Sequence, residues 1–278
     1  AARRAGAGAR PGPRARVRAR GGEPGVAAVS RTCAETFGCN QETGQGAPLS
    51  ELVEPSPEMD HRSLRTDWAT DGRAAEREVT YRTVEGPNRF IFRSVPTTTE
   101  GGNEQFCLFI DISAQQQRQE TLDSLVRTAD RLLDMSETMA VCQGTIDAAA
   151  SVLGFERAGV FLYERDREGL TLAAANGHDC FDESTVFGTG TVVWEAYQSG
   201  ELRRLPDTSA VDSPLAGESA LLLPLGTHGA FVTCAAGTDG FNDTALYYGR
   251  LLTTLVQNAL DRVRRDRSLR EIHRTTRA

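Results

Sequence analysis

A strand that passes without a break into a long helix is the feature that most limits how this chain can fold. In residues 104–112, apolar side chains alternate at Phe106, Leu108 and Ile110, which is typical of a strand. Residues 114–135 contain neither Gly nor Pro, so no position there is expected to end a helix. The sequence therefore predicts a sheet that is joined to the rest of the chain by a helix over residues 114–135.

The residues between this strand and this helix form a predicted signalling junction. Asp111, Ile112 and Ser113 connect the two elements, and Ser113 lies three residues before Gln116. That spacing is typical of a capping box, in which the serine and glutamine side chains bind each other's backbone amides. The capping box predicts that Ser113 precedes the first helical residue.

Two earlier strands complete a small sheet. Val79 and Tyr81 share a face of the first strand, and Phe90 and Phe92 share a face of the second. Short helical segments come before them. Helices followed by antiparallel strands predict an α+β domain over residues 27–113.

Residues 1–26 differ in composition from the rest of the chain. They are almost wholly Ala, Arg, Gly and Pro, with seven Arg and one Glu up to residue 25. Such a segment has too few large apolar side chains to bury a core, so it is predicted to be disordered. It is either a basic tail that binds nucleic acid or GC-rich DNA translated in the wrong frame, and the second interpretation is favoured.

The remaining residues are acidic and contain no lysine. The formal net charge of the chain is −7, and residues 26–278 alone carry −13. This charge is typical of proteins that work in concentrated salt, although a GC-rich genome would also favour Arg over Lys. The negative charge argues against nucleic-acid binding by the folded part, and no apolar run is long enough to cross a membrane.

The six cysteines form no CxxC pair, which argues against a zinc site or a redox motif. No export signal precedes them, so they are expected to be reduced thiols in the cytoplasm. The sequence requires no cofactor and no metal.

The helix over residues 114–135 carries an apolar stripe. Leu122, Leu125, Ala129 and Leu132 follow one another at steps of three or four residues. A connecting helix has few neighbours of its own, so the stripe predicts a parallel coiled-coil contact in a homodimer. The alternative is that the stripe packs within its own chain.

Residues 120–265 predict a second α+β domain, which overlaps the end of the connecting helix. Its predicted elements are a helix ending at Gly154, strands over 157–165, 169–177, 219–226 and 229–237, and a closing amphipathic helix over 241–263. The fold class is therefore α+β, with two small antiparallel-sheet domains.

Two family resemblances cover most of the chain. The junction residues and the stretch ETFGCNQETGQGAPLSELV, with Gly38, Gly46, Leu49 and Leu52, resemble a PAS domain over about residues 28–118. The resemblance implies two strands before the first helix, and these are missing or unreadable in the sequence.

Four segments in order resemble a GAF domain over residues 120–265. They are VLGFERAGVFLYE, GTGTVVWEAYQSGE, LLLPLGTHGAF and GFNDTALYYGRLLTTLVQNAL. The resemblance implies a central antiparallel sheet with helices on one face and a ligand pocket on the other. This domain order looks most like haloarchaeal multi-sensor proteins, which include bacterio-opsin-activator-like regulators and two-component sensor histidine kinases.

Three side chains are the candidates for contact with a small-molecule ligand in that pocket. His178, Phe187 and Trp194 lie in the irregular segment that GAF domains fold over their sheet. The alternative is that Phe187 and Trp194 belong to the core and that His178 is an exposed loop residue. His178 and Cys180 do not form the Cys-His dipeptide of bilin-binding relatives, so no chromophore is expected.

The last residues repeat an earlier pattern. SLREIHRTTRA at 268–278 matches TLDSLVRTADR at 121–131, so residues 266–278 are expected to be the truncated start of a further linker helix. His273 takes the place of Val126 and lacks the acid and proline that surround a kinase phosphate acceptor. It is therefore not expected to accept phosphate.

The sequence predicts a cytoplasmic, non-catalytic sensory module that senses a small molecule or relays a signal to an output domain that the chain lacks. One alternative is a transcription regulator of the bacterio-opsin-activator type without its helix-turn-helix. Another is a GAF-type free methionine sulfoxide reductase that acts through Cys142, Cys180 and Cys234.

Overall fold

The computed structural model divides the chain into two compact units, Ala1–Arg118 and Gln119–Ala278. The described residues are 14–20, 23–40, 46–53, 74–99, 102–177, 181, 184–209, 215, 218–237 and 240–275. Both units combine helices with an antiparallel sheet, so the α+β prediction is confirmed.

The first unit is built on a five-stranded antiparallel sheet in the order β2-β1-β5-β4-β3. Its strands are β1 (Arg14–Arg20), β2 (Glu23–Val29), β3 (Ala75–Thr83), β4 (Gly86–Thr99) and β5 (Gly102–Asp111). Two short helices, α1 (Arg31–Phe37) and α2 (Leu49–Leu52), lie between β2 and β3 in the chain.

The prediction that residues 1–26 are disordered is wrong for the part that the structure describes. Residues 14–20 form β1, which pairs with β5 from Arg14 opposite Leu108 to Arg18 opposite Glu104. Composition misses this pairing because a strand needs only backbone partners and a period-two pattern, and RARVRAR alternates perfectly. Residues 1–13 lie outside the described residues.

Aromatic side chains fill the core of the first unit. Phe90 and Phe92 of β4 and Phe109 of β5 are almost fully buried, as the alternation in β4 predicted. Phe37 of α1 covers them, with its ring centroid 5.1 Å from that of Phe109 and 6.0 Å from that of Tyr81. In β5 the buried alternation is Cys107 and Phe109, so the predicted apolar face at Phe106, Leu108 and Ile110 lies on the outer side of the sheet.

The second unit has a six-stranded antiparallel sheet in the order β8-β7-β6-β11-β10-β9. Its strands are β6 (Ala158–Glu164), β7 (Gly169–Ala175), β8 (Val186–Phe187), β9 (Arg203–Leu205), β10 (Glu218–Pro224) and β11 (Gly229–Ala236). Its helices are α4 (Thr138–Leu153), α5 (Val192–Ser199) and α6 (Asp243–Thr275).

This sheet is buried on both faces. Leu221 and Leu223 of β10 join a core with α4 and α6, whereas Leu222 joins a second core with α5. Successive residues of a strand point to opposite faces, so three consecutive leucines supply both cores.

Two helix boundaries differ from those that the sequence predicts. The connecting helix, α3, spans Ser113–Asp134, close to the predicted 114–135. The residues predicted to start a further linker helix, 266–278, are helical up to residue 275, where they continue α6 without a break, and residues 276–278 lie outside the described residues. No Gly or Pro interrupts the continuation, and ion pairs one turn apart, such as Arg262–Asp266 and Arg267–Glu271, line its surface.

Among the residues that the structure describes, no helix is both long enough and apolar enough to cross a membrane.

Candidate functional sites

The predicted signalling junction is fixed by hydrogen bonds to the start of β4. One oxygen of the Asp111 carboxylate accepts from the backbone N–H of Ser113 at 2.8 Å, and the other accepts from the Asn88 side chain at 3.2 Å. The backbone N–H of Ile112 donates to the carbonyl of Arg89 at 2.9 Å. Asp111 therefore binds β4 and the first turn of α3 at once.

Ser113 does not form the predicted capping box. It is the first residue of α3, and its hydroxyl oxygen accepts from the backbone N–H of Arg89 at 2.9 Å. Because the Ser113 hydroxyl is bonded to β4, the carboxylate of Asp111 caps the helix instead.

Two residues that the sequence analysis did not single out complete the junction. The Arg89 guanidinium donates to the side-chain oxygen of Gln116 at 2.6 Å, and the Gln116 amide donates to the Glu78 carboxylate at 3.3 Å. Glu78 and Arg89 lie on different strands, far in sequence from Gln116. Single-sequence spacing carries no signal for such a contact.

The predicted dimer stripe on α3 faces two environments. Leu125 and Leu132 are 3% and 1% exposed and belong to the core of the second unit. Leu122 is 40% exposed, and Ala129 is half-buried. The prediction that all four residues face a partner is therefore wrong for Leu125 and Leu132.

This burial also determines the effect of a charge at Leu125. If Leu125 faced only a partner, Leu125→Glu would separate a dimer and leave each fold intact. The side chain lies in the core of the second unit, so a glutamate there would lose its hydration and destabilise that unit.

A neighbouring stripe on α3 is the exposed one. Leu122, Val126 and Leu133 are 40%, 62% and 37% exposed, and Ala129 lies between the last two. Their spacing of four, three and four residues is that of a coiled-coil seam. We call these four residues the outer stripe.

The ligand candidates Phe187 and Trp194 lie in one buried cluster of the second unit. Phe187 is fully buried, with its ring centroid 4.7 Å from that of Phe161, and Trp194 is 8% exposed. The structure therefore places both in the core. His178 lies outside the described residues.

Trp194 lies beside two tyrosines. Its ring centroid is 6.0 Å from that of Tyr163 and 5.5 Å from that of Tyr197, and burial raises the pKa of Tyr197. The indole N–H of Trp194 is buried and has no hydrogen-bond partner among the described residues. A buried donor without a partner costs free energy, so an acceptor that reached this N–H would stabilise the protein.

The cysteines of the second unit do not form a reactive cluster in the part of the chain that is described. Cys142 and Cys234 are buried, and burial raises the pKa of Cys142 to about 12, which disfavours its thiolate. Cys180 lies outside the described residues. Within the described ranges, no group of three or more His, Cys, Asp and Glu side chains could hold a metal ion.

Comparison with known proteins gives only distant similarities. No family model matches the chain, and no curated protein matches it. Among solved structures, the GAF domain of an Acinetobacter phosphoenolpyruvate-protein phosphotransferase has 16% identity and a TM-score of 0.46, and the match covers 51% of this chain and 93% of that one.

Two further structures have similar scores. Free methionine-R-sulfoxide reductase from Neisseria meningitidis, in complex with its substrate, has 18% identity and a TM-score of 0.46 over 52% of this chain and 91% of that one. The Stigmatella aurantiaca phytochrome photosensory core module has 15% identity and a TM-score of 0.44 over 90% of this chain and 57% of that one. The solved structures similar to this chain thus include GAF domains.

Proposed function

We propose that this chain is a non-catalytic, cytoplasmic sensory module in which a PAS-like unit relays a signal through α3 to a GAF-like unit. The observation that carries the proposal is the position of α3. Its first residues are hydrogen-bonded to β4 of the first unit, and its later residues, Leu125 and Leu132, are part of the core of the second. A helix anchored at both ends can transmit a displacement that a flexible linker would absorb.

The first unit supports the PAS-like assignment. The resemblance implied two strands before the first helix, and β1 and β2 occupy that place. Gly38 ends α1 with a positive φ of 69°, and Leu49 begins α2, as the matching glycine and leucine positions imply.

The second unit supports the GAF-like assignment. Two long helices, α4 and α6, share a core with one face of its sheet, and α5 packs on the other face. Phe161 and Phe187 occupy the interior beside α5, where the resemblance implies a ligand pocket. This filled interior favours relay of a signal over recognition of a bulky ligand in the state described.

We propose further that the outer stripe of α3 binds the same stripe of a second copy of the chain. The outer stripe has coiled-coil spacing, and its neighbour stripe is already engaged in the core of its own unit. A second copy is the occupant that fits, because a parallel two-fold contact would place Val126 against Val126 and Leu133 against Leu133.

Hydrogen exchange tests the relay. Asp111→Ala removes the cap of α3, which typically weakens a helix start by about 0.5–2 kcal/mol, and should raise exchange of the first-turn amides by about 2- to 30-fold. If α3 is a relay, exchange also rises in residues 119–134 and in α4. Asp123→Ala, an exposed carboxylate on the same helix, is the matched control and should leave both regions unchanged.

The relay is wrong if the effect of Asp111→Ala stays within residues 111–118. The dimer is tested separately by sedimentation, since a monomeric parent at every accessible concentration would leave the outer stripe without its proposed partner.

A further inference from the structure

Two cysteines of α1 and its C-terminal turn pack in the core of the first unit. The helix ends at Gly38, and the backbone N–H of the next residue, Cys39, donates to the carbonyl of Ala34 at 3.1 Å. This turn carries the residue after the glycine back against the helix, where it contacts a residue about one and a half turns earlier. Here that residue is Cys33, and Cys39 packs against the buried cluster to which Cys33 belongs.

The two thiols differ in their access to solvent. Cys33 is 1% exposed and belongs to the core of the first unit, whereas Cys39 is half-buried at the edge of that core. A solute can therefore reach Cys39 before it reaches Cys33. Cys107 of β5, fully buried, is a third thiol in the same core.

We propose that Cys33 and Cys39 are a modification site at which an oxidant of the peroxide class closes a disulfide across the end of α1. The Cys39 thiolate attacks one peroxide oxygen, which forms an S–O bond, breaks the O–O bond and releases hydroxide. The Cys33 thiolate then attacks the Cys39 sulfur, which forms the S–S bond and expels a second hydroxide. The two thiol protons turn both hydroxides into water, and two electrons pass from the sulfurs to the peroxide.

The environment of the thiol pair sets the rate of this reaction. Burial raises the pKa of Cys33 to about 12 and also raises the pKa of Cys39. Because the thiolate is the nucleophile, oxidation is slow at neutral pH and accelerates about tenfold per pH unit while the pH stays below both pKa values. The thiol pair thus responds to sustained exposure rather than to a brief pulse of oxidant.

The disulfide would close at a point where α1 is tied to the sheet. The backbone N–H of Val84, in the turn between β3 and β4, donates to the carbonyl of Thr36 in the last turn of α1 at 3.1 Å. Oxidation becomes an input to the sensory unit only if the proposed function holds. The chemistry of the thiol pair does not depend on it.

A tryptic digest isolates this site. Cleavage after Arg31 and Arg62 gives a peptide that contains Cys33, Cys39 and no other cysteine. The full chain is treated with hydrogen peroxide, quenched in acid, denatured, alkylated and digested. We expect this peptide to be two hydrogen atoms lighter with neither cysteine alkylated, and to form about ten times faster at pH 8.5 than at pH 7.5.

Three controls make the result specific. Cys39→Ser should leave Cys33 open to alkylation, and Cys107→Ser should leave the disulfide intact. Cys142, buried in the other unit, should stay alkylatable throughout. The proposal fails if both cysteines of the peptide remain alkylatable, if Cys39 gains oxygen while Cys33 does not react, or if Cys33 is joined to the peptide that carries Cys107.

Discussion

Replacing Leu125 by alanine tests whether the inner face of α3 is a core element or a partner contact. Leu125 is 3% exposed and packs in the same core as Leu132. Removing a buried leucine side chain costs about 2–5 kcal/mol, because the lost transfer energy adds to the cost of the cavity. That is a large share of the roughly 5–15 kcal/mol that stabilises a domain.

The same helix offers a matched control. Leu122→Ala removes the same atoms from a side chain that is 40% exposed, so it should cost the fold roughly 1 kcal/mol or less. If the outer stripe binds a second copy, Leu122→Ala weakens association and Leu125→Ala weakens folding. The two substitutions, less than one turn apart, thus separate two properties of one helix.

Calorimetry and sedimentation of both variants give the answer. For a unit of this size a loss of 1 kcal/mol lowers the Tm by about 2–4 °C, so Leu125→Ala should lower the Tm of the second unit by roughly 6–12 °C if it loses ~3 kcal/mol. Equal Tm changes in the two variants would refute the assignment. So would a Leu125→Ala protein that dissociates at an unchanged Tm.

Four further outcomes are expected. Val126→Glu should shift a dimer towards monomer in sedimentation because it sets two carboxylates against each other, whereas the isosteric Val126→Thr should not. Burial raises the pKa of Cys107 to about 12, so the folded first unit keeps this proton to a higher pH than the unfolded chain does. The free energy of unfolding of the first unit should therefore fall above about pH 9, by at most about 1.4 kcal/mol per pH unit for each such thiol. Cys107→Ala should reduce this dependence on pH in urea unfolding at pH 8–10.5. The thermal midpoint of unfolding should be higher in multimolar KCl than at low salt, because salt screens the repulsion among the carboxylates of residues 26–278. Equal midpoints would favour a GC-rich genome as the reason for the missing lysines. Gly229→Ala should destabilise the second unit, since a Cβ there would lie 1.9 Å from the Phe161 carbonyl oxygen, whereas Gly188→Ala meets open space and should melt like the parent.

Periodicity predicted the elements that carry strong patterns. The alternation in β3 and β4 appears in the structure, and the bounds of α3 differ from the predicted ones by one residue at each end. The strand β1 could not be predicted from its composition, because its order comes from pairing with β5, some 90 residues away. Pairings at such distance leave no trace in a local window of a single sequence.

Which stripe of α3 faces solvent could not be predicted for a related reason. The helix has two apolar stripes offset by one residue, and spacing alone fits either as the seam. Thr121 and Thr128, polar residues that a sequence pattern assigns to the surface, are buried on the same face as Leu125. Only the packing of α4 and α6 decides which stripe is enclosed.

The three consecutive leucines of β10 have a consequence for the precision of the second unit. Sliding β10 by one residue would put leucine where leucine already stands, so these side chains barely distinguish the correct alignment from its neighbour. The connection to β11 removes this ambiguity. The backbone N–H of Leu225 donates to the carbonyl of Gly229 at 2.8 Å, and Gly229 has a φ of 154°. Gly229 also lies too close to Phe161 for any side chain. The hairpin turn, rather than the core, therefore sets the register of β10 and β11. A change of the turn would yield a mixture of sheets that differ in strand alignment and have nearly the same interior.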